Sequence, residues 1–375
     1  MSTRGQTIRL GTRGSDLAVR QATAVKEQLE ARRLTVELVE VETRGDQLRD
    51  ELIHRLGTTG AFVRALDEQV IDGDLDAAVH SMKDVPTDQP DELVVAGIPE
   101  RAAAGDVLLT PEGTALADLP DGAVVGTSSL RRGAQLREER PDLAIEPLRG
   151  NVDTRVEKLL APTRQHEHEA RMEAAEGSDG EDSDGDQDDG EADFEQTVEE
   201  WFDGLAEVER RALEREVDTE YDAICLAEAG LARSGLLHHL AYERLEPTEF
   251  VPAPSQGTIA VTALDGDLAE TINEVLDHPP TRVETTVERT VLAELGGGCV
   301  APIGVYARLQ GEVVTTACRV LAQDGTEAVT GARDLPVERH AEAAAGFAAD
   351  LADRGAKRLV EQARRDQPDD AKREQ

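Results

Sequence analysis

Short apolar runs alternate with amphipathic segments over the first 100 residues. The apolar runs predict strands at residues 8–11, 35–41 and 75–79. Between them, apolar residues that recur every three or four positions predict helices at residues 16–33 and 62–71. Strands that alternate with helices are typical of a mostly parallel sheet covered by helices, so this part of the chain is predicted to be an α/β domain.

The same alternation begins again after Asp106 and predicts a second α/β domain at residues 104–250. Its predicted elements, in order, are a strand at 107–109, a strand at 123–126, a helix from Leu130, a strand at 143–147, a helix at 152–160 and a strand at 221–226. Residues 257–275 are assigned to the first domain, which otherwise spans residues 1–100.

An insertion interrupts the second domain at about residues 162–217. Residues 176–195 hold 11 acidic residues and no Lys or Arg, so they cannot bury enough apolar surface to offset the entropy of ordering. We therefore expect this acidic tract to be disordered. Residues 198–213 differ, because apolar side chains recur at helical spacing and predict one amphipathic helix with a buried face. These side chains are Val198, Trp201, Phe202, Leu205, Val208 and Leu213.

A third, smaller α+β domain is predicted at residues 279–365. Its predicted parts are a helix at 285–295, a glycine-rich loop at 296–298, two or three strands between 304 and 333, and a helix at 337–354. The charged tail at 366–375 is expected to fray.

Acidic residues outnumber basic ones by 78 to 40, which gives a formal net charge of -38. This charge excludes nucleic acid and anionic membranes as partners, because both require a basic surface on the protein. Only five of the 40 basic residues are Lys. Excess acid with scarce Lys is typical of proteins in a salt-rich cytoplasm, where screening removes self-repulsion, and it predicts a halophilic host.

Compartment is predicted from the cysteines and the apolar runs. The three cysteines are odd in number, the first residues lack an apolar signal core, and no run approaches the length of a membrane span. We therefore expect a cytoplasmic protein with reduced thiols.

Three segments combine a strand end, a small or hydroxyl residue and a nearby basic residue. Such junctions suit anions, because unpaired backbone N–H groups and a helix dipole lie beside a fixed cation. For any one segment, the alternative stays open that its serine only caps a helix and its basic residues lie in solvent. Three together, at strand ends in two similar domains, favour a cleft for a polyanionic ligand. The residues concerned are Arg13, Ser15, Lys83, Ser129, Arg131, Arg132, Arg149 and Arg155.

The chemistry of these segments favours a polycarboxylate over a nucleotide. Neither the P-loop pattern nor G-x-G-x-x-G occurs, whereas arginine binds carboxylates in a bidentate manner. Asp84 is a lone acid beside Lys83, and such an acid can stabilise a developing positive charge or move a proton. The alternative for Asp84 is a solvated loop acid.

Cys299 directly follows the glycines at 296–298, which permit unusual dihedral angles and close approach of the backbone to a bound group. A lone cysteine is more often a small buried hydrophobe. That interpretation is kept for Cys225 and Cys318 in their apolar strands, but the glycine-rich loop favours a reactive role for Cys299. No C-x-x-C or H-x-x-x-H pair occurs, so no metal site is predicted.

Taken together, these motifs resemble those of the hydroxymethylbilane synthase family, also called the porphobilinogen deaminase family. The resemblance extends over nearly the whole chain except the insertion and the C-terminal tail. The matching motifs are, in order, Thr12 and Arg13 with Ser15, then 43–46, 80–86, 126–132, 148–151, 221–230, Gln256 with Gly257, and 297–299.

The resemblance implies a three-domain α/β enzyme. Two doubly wound lobes similar to those of periplasmic binding proteins enclose the active site, and a small α+β domain carries the cofactor. The family joins four molecules of porphobilinogen head to tail, releases ammonia at each step and hydrolyses the product to linear hydroxymethylbilane. The resemblance further implies a cytoplasmic monomer whose partner is this small-molecule substrate.

The resemblance also implies roles for individual residues. A dipyrromethane primer is implied at Cys299 through a thioether, and Asp84 matches the catalytic aspartate. The residues implied to bind this cofactor, besides Cys299, are Asp46, Lys83, Ser129, Arg131 and Arg132. The residues implied to bind substrate are Arg13, Ser15, Arg149, Arg155 and Arg233.

One departure from the family pattern is Thr59, which stands where a lysine is usual, so a cation above the cleft is missing unless Arg55 or Arg64 replaces it. Two other functional classes are alternatives to the enzyme. A non-catalytic two-lobed carboxylate-binding protein would need neither Cys299 nor Asp84. An acidic interaction protein acting through residues 176–195 does not explain the arginine motifs, so the enzyme is favoured.

Overall fold

The computed structural model describes residues 7–41, 61–178, 194, 196–298 and 301–366. Most of the acidic tract and the C-terminal tail lie outside these ranges, so their expected disorder stays a prediction. Within the ranges the chain forms two five-stranded sheets and one three-stranded sheet. None of the helices described is long and apolar enough to cross a membrane.

The first part of the chain forms every element predicted for it. In order, the elements are β1 (Thr7–Arg13), α1 (Asp16–Ala31), β2 (Thr35–Val41), α2 (Ala61–Ile71), β3 (Ala77–Ser81) and β4 (Leu93–Gly97). Helix α1 ends two residues before the predicted position because Arg33 has a φ of 67°, in the left-handed region. Strand β4 was not predicted.

The second part contains the insertion. Its elements are β5 (Asp106–Leu109), β6 (Val124–Gly126), α3 (Leu130–Glu139), β7 (Ala144–Glu146), α4 (Val152–Ser178), α5 (Val198–Gly204), α6 (Glu207–Leu213), β8 (Ala223–Ala227), α7 (Glu228–Ser234) and β9 (Tyr242–Leu245). The predicted end of α4 at residue 160 was wrong, because the helix continues through Pro162. The Gln165 amide donates to the carbonyls of Ala212 and Arg215 at the end of α6, so packing against the insertion stabilises the extension.

The last part forms β10 (Ile259–Leu264), α8 (Asp267–Leu276), α9 (Pro279–Glu294), β11 (Ile303–Gln310), β12 (Val313–Leu321), β13 (Ala328–Pro336), α10 (His340–Asp353) and α11 (Ala356–Arg365). Helix α9 begins six residues earlier than predicted, since proline is well tolerated in the first turn of a helix. Helix α11 was not predicted, and it begins directly after Gly355, whose φ is 101°.

The first two sheets share one topology. The strand order is β2-β1-β3-β10-β4 in the first and β7-β6-β8-β5-β9 in the second. The predicted parallel pairing is found among the first three strands of each order, and the remaining pairs are antiparallel. Strands β11, β12 and β13 form an antiparallel meander, and each of the three sheets packs on its own apolar core. The predicted α/β architecture is therefore confirmed.

The single helix predicted at 198–213 was wrong, because α5 and α6 are separate helices. Leu205 and Ala206 are extended between them, with ψ angles of 141° and 156°. The Ala206 N–H donates to the Glu209 carboxylate at 2.8 Å, which starts α6. Thr197 and Glu200 form a capping box at the start of α5.

Trp201 anchors the insertion on α4. It is 6% exposed, its ring stacks on His168 with the centroids 5.9 Å apart, and the Arg171 guanidinium lies 5.1 Å from its centroid. The same guanidinium lies 4.2 Å from the ring of Phe194. Phe202 was also expected on the buried face, but it is 41% exposed.

We expect Trp201→Ala to lower the free energy of unfolding by about 3–5 kcal/mol, because it removes a large buried aromatic side chain. Phe202→Ala is the matched control on the same helix and should change stability by no more than about 0.5 kcal/mol. Urea unfolding in molar KCl measures both. Equal losses in the two variants would contradict the assignment of Trp201 as the anchor.

Candidate active site

Four predicted site residues lie at one edge of the first sheet. Strands β1 and β3 are parallel neighbours, so their carboxyl ends meet at this edge. Arg13 ends β1 and Ser15 caps the following helix. Lys83 and Asp84 lie in a single 3₁₀ turn, Met82–Asp84, directly after β3. The structure thus brings together the two segments that the sequence predicted separately.

Backbone bonds and buried neighbours fix the turn that carries Asp84. The Met82 N–H donates to the Thr258 carbonyl at 3.0 Å, and the Val85 N–H donates to the Met82 carbonyl at 3.2 Å. The side chains of Met82 and Val85 are buried, whereas Lys83 is exposed and Asp84 is half-buried. The turn is therefore held by its apolar residues while both charged groups keep access to solvent.

The hydroxyl groups of Ser15 and Ser129 cap helices in this structure. Ser15 Oγ accepts from the Ala18 N–H, and Ser129 Oγ accepts from the Arg132 N–H, each at 3.4 Å. The capping interpretation is therefore correct for both residues. Their roles in binding substrate or cofactor stay predictions.

Arg131 and Arg132 share the buried carboxylate of Asp106. Arg131 Nη2 donates to Asp106 Oδ2 at 2.7 Å, and Arg132 Nε donates to Oδ1 at 2.9 Å. Gln256 Nε2 donates to the same Oδ1 at 2.9 Å. Burial alone would raise the pKa of Asp106, but the two guanidinium groups hold it below its ordinary value. Asp106 was not among the predicted site residues, because an acid at the start of a strand carries no local sequence signal of a site.

The pairing with Asp106 leaves one hydrogen-bond donor of Arg131 unused. Arg131 Nη1 donates to the Val251 carbonyl at 2.8 Å, but its Nε is buried and has no hydrogen-bond partner within the described ranges. A buried donor without a partner is costly. An additional acceptor near Arg131 would remove that cost.

Arg149, Arg155 and Arg233 differ from this pair, because none of them contacts a carboxylate in the part of the chain that the structure describes. Arg155 Nε donates to the Gly150 carbonyl at 2.7 Å, and Arg233 Nη2 donates to the Gly257 carbonyl at 2.7 Å. Burial and the charge of Arg132 lower the pKa of Arg155 to about 10, and burial lowers the pKa of Arg233. A bound anion would relieve both groups.

Asp46 and Cys299 lie outside the described residues, as does Thr59, so their predicted roles stay predictions. The glycines before Cys299 are described. Gly296 has a φ of 67°, and a Cβ on Gly297 would lie 2.3 Å from Ile303 Cδ1. Glycine is favoured at Gly296 by its backbone angle and at Gly297 by the lack of space for a side chain, so α9 passes directly into a glycine loop before the cysteine.

Cys225 and Cys318 are buried free thiols, as their apolar strands predicted. Burial raises the pKa of each to about 12. Neither thiol is suited to nucleophilic chemistry, because the reactive form of cysteine is the thiolate.

A buried carboxylate on α9 joins the sheets beneath the site. Glu288 pairs with Arg101 through two bonds, Oε1 to Nη1 at 2.8 Å and Oε2 to Nη2 at 3.1 Å. It also accepts from the backbone N–H of Ser255 at 2.5 Å and of Ala307 at 2.7 Å. Sequence analysis did not predict this cluster, because its members are far apart along the chain.

Comparison with known proteins gives the same result as the motifs. The family model "Porphobilinogen deaminase, dipyromethane cofactor binding domain" matches residues 8–175 and 205–271. The model "Porphobilinogen deaminase, C-terminal domain" matches residues 283–350. The chain belongs to the porphobilinogen deaminase family. The predicted transferase activity, hydroxymethylbilane synthase, and the predicted dipyrromethane cofactor are thereby confirmed.

Relatives match over nearly their whole length. A probable porphobilinogen deaminase from Halobacterium salinarum is 53% identical, over 96% of this chain and 98% of that protein. A probable porphobilinogen deaminase from Methanococcoides burtonii is 37% identical, over 94% of this chain and 96% of that protein. Among solved structures, the methionine-binding protein MetQ aligns with a TM-score of 0.36 and 12% identity, over 72% of this chain and 89% of that chain.

The described residues fit the dipyrromethane group. Each of its pyrrole rings carries an acetate and a propionate, and carboxylates are the preferred bidentate partners of arginine. The unpartnered Nε of Arg131 and the lowered pKa of Arg155 both indicate positive groups that would gain from such an anion. The guanidinium groups that would hold it are those of Arg131 and Arg132, with Arg149 and Arg155 available to the carboxylates of added substrate rings.

Substituting an arginine that pairs with a carboxylate should affect stability differently from substituting one that does not. Arg132→Leu removes one partner of buried Asp106 and should cost about 3–5 kcal/mol of unfolding free energy. Arg155→Leu leaves no described carboxylate without a partner, so stability should hold while primer assembly is impaired or the growing chain stalls at an intermediate length. Urea unfolding and intact mass measure the two properties. Equal destabilisation by both substitutions would contradict this division.

Proposed function

We propose that the condensation of porphobilinogen takes place at the carboxyl-end edge of the first sheet, with Asp84 as the catalytic residue. The observation that carries this proposal is the fixed turn Met82–Asp84, which presents a half-buried carboxylate beside Lys83 at the end of β3. Arg13 lies at the end of the neighbouring parallel strand. The chemistry requires a negative group at this position, and a carboxylate at a strand end is placed to supply it.

Asp84 acts on the positive charge that develops during the reaction. When ammonia leaves the aminomethyl group of the substrate, positive charge spreads over the methylene carbon and the pyrrole ring. A carboxylate held in place stabilises that charge without having to reorganise. Asp84 also offers an acceptor for a proton of the reacting pyrroles.

The arginines bind the carboxylates of the substrate and of the growing product. We assign substrate binding to Arg13, Ser15, Arg149, Arg155 and Arg233, and cofactor binding to Asp46, Lys83, Ser129, Arg131 and Arg132. Hydrogen bonds to charged groups contribute about 1.5–3 kcal/mol each, so a few are enough to hold the chain. Asp106 restricts the contribution of Arg131 and Arg132, because it already occupies part of each guanidinium.

Cys299 is proposed as the attachment point of dipyrromethane. When bound through a thioether, this group supplies the free pyrrole α-carbon to which the first substrate molecule is joined. Cys299 directly follows the glycine loop at the end of α9, and the other two cysteines are buried with raised pKa values. The proposal of a non-catalytic carboxylate-binding protein is not favoured, because the chain belongs to an enzyme family.

We further propose a monomer that works in a salt-rich cytoplasm without nucleic acid or membrane as a partner. The net charge of -38, the scarcity of lysine and the 53% identity to a Halobacterium salinarum protein support this. We propose a division into residues 1–100 with 257–275, residues 104–250, and residues 279–365. The positions of β10 in the first sheet and of β8 and β9 in the second agree with it.

Cys299→Ser should abolish primer attachment. Intact mass of the purified protein should exceed the sequence mass by two linked pyrroles, and the variant should have the sequence mass alone. Cys318→Ala is the control, because Cys318 is a buried cysteine of strand β12, and this variant should keep the adduct. An unchanged adduct in Cys299→Ser would disprove the attachment site.

Asp84→Asn should keep the primer but reduce turnover by about 100- to 1000-fold, because the amide keeps the size of the side chain and loses its charge. Asp88→Asn is the control, since Asp88 is an exposed acid four residues further on. Steady-state rates per primer-carrying molecule measure the effect. Turnover near the unsubstituted level in Asp84→Asn would show that Asp84 is not the catalytic residue.

A further inference from the structure

Arg289 connects helix α9 to the loop that carries Asp84. Its Nη1 donates to the Val85 carbonyl at 2.8 Å, and its Nη2 donates to the Pro86 carbonyl at 2.7 Å. A longer contact of 3.5 Å joins Nη1 to the Met82 carbonyl. A single planar guanidinium therefore bridges two successive carbonyls directly after Asp84, and a rigid fork of donors is suited to this geometry.

The loop is held at both ends by different parts of the molecule. At its start, the Met82 N–H bonds to Thr258, just before β10. At its end, Arg289 bonds to Val85 and Pro86. Between these ends, the bond from the Val85 N–H to the Met82 carbonyl closes the turn. Arg289 therefore adds a side-chain tether to a turn that backbone bonds and buried apolar side chains also hold.

The surroundings of Arg289 indicate that an ion pair does not explain its position. Burial lowers its pKa, and no carboxylate within the described ranges contributes to that pKa. Arg101, Arg131 and Arg132, which are more deeply buried, each pair with an acid. Placing a charged group in a half-buried site against carbonyls alone costs free energy. The bonds to the loop offset that cost.

Helix α9 also leads into the glycine loop that precedes Cys299. We propose that Arg289 is a positioning residue that fixes the Asp84 loop relative to helix α9, so that this helix sets the distance between the Asp84 loop and the glycine loop at 296–298. This inference rests on the proposed role of Asp84. Catalysis is sensitive to the position of a catalytic carboxylate, because a misplacement of about 1 Å can cost about 100-fold in rate.

The test compares Arg289→Met with Arg282→Met in the full-length, primer-carrying enzyme. Arg282 lies two turns earlier on the same helix and also bonds to a carbonyl of the first sheet, that of Val95, in addition to its ion pair with Asp277. The control therefore removes a similar tether of the helix without touching the Asp84 loop. Arg289→Lys keeps the charge but loses the fork, and Asp84→Asn is assayed beside them.

Arg289→Met should lower kcat by about 10- to 100-fold with little change in KM, when rates are expressed per primer-carrying molecule. Hydrogen exchange of the backbone amides at residues 82–85 should be faster than in the unsubstituted enzyme. Arg289→Lys should lie between Arg289→Met and the unsubstituted enzyme in both measurements. Arg282→Met should keep normal kcat and normal exchange at these amides, whatever it does to thermal stability.

Normal kcat in Arg289→Met, or exchange at residues 82–85 that stays unchanged, would overturn the inference. The same holds if Arg282→Met lowers kcat as strongly, since Arg289 would then be only one of several structural tethers. The Asp84→Asn measurement shows whether a failure concerns the role of Asp84 or that of Arg289. If that variant turns over normally, the proposed catalytic role of Asp84 fails. If it is inactive while Arg289→Met is normal, the inference about Arg289 fails alone.

Discussion

One buried carboxylate, that of Glu288, determines how the three sheets are held together. The chain passes between the first two sheets twice, once near Arg101 and once near Ser255, and donors from both connections bond to Glu288. A second backbone donor, the Ala307 N–H, comes from β11 of the third sheet. A buried charge is tolerated only when its bonds are satisfied, so all these donors must be in place together. The arrangement of each sheet therefore depends on the other two.

The distribution of positive charge follows from the same principle. In a chain with 78 acidic and 40 basic residues, many acids are surplus to pairing, yet Arg149, Arg155 and Arg233 have no carboxylate partner in the described ranges. Their positive potential is thereby kept available within a strongly acidic protein. Asp106 neutralises only the part contributed by Arg131 and Arg132. The site can attract carboxylates although the molecule as a whole repels them.

Features of the fold and the site could be predicted where the residues that determine them are adjacent in sequence. The strand ends with Arg13 and Lys83 were found because strand, turn and helix signals are adjacent in sequence. Asp106 and Glu288 were missed because their partners lie 19 to 187 residues away and no pattern marks them. Helical periodicity also continued across Leu205 and Ala206, where the capping of α6 breaks the helix. The glycine-rich loop predicted a reactive role for Cys299, whereas its dipyrromethane primer and the role of Asp46 came from family resemblance alone.

The contact of Arg171 with both Phe194 and Trp201 determines how the protein tolerates a change of length at this position. This contact closes a loop, because Arg171 precedes the acidic tract and Phe194 lies near its end. The entropy cost of closing a flexible loop rises only with the logarithm of its length, at about 0.6 kcal/mol for each doubling. Residues could therefore be gained or lost between the two ends at little cost to the fold. The family model, which matches up to residue 175 and again from 205, is consistent with such variation among relatives.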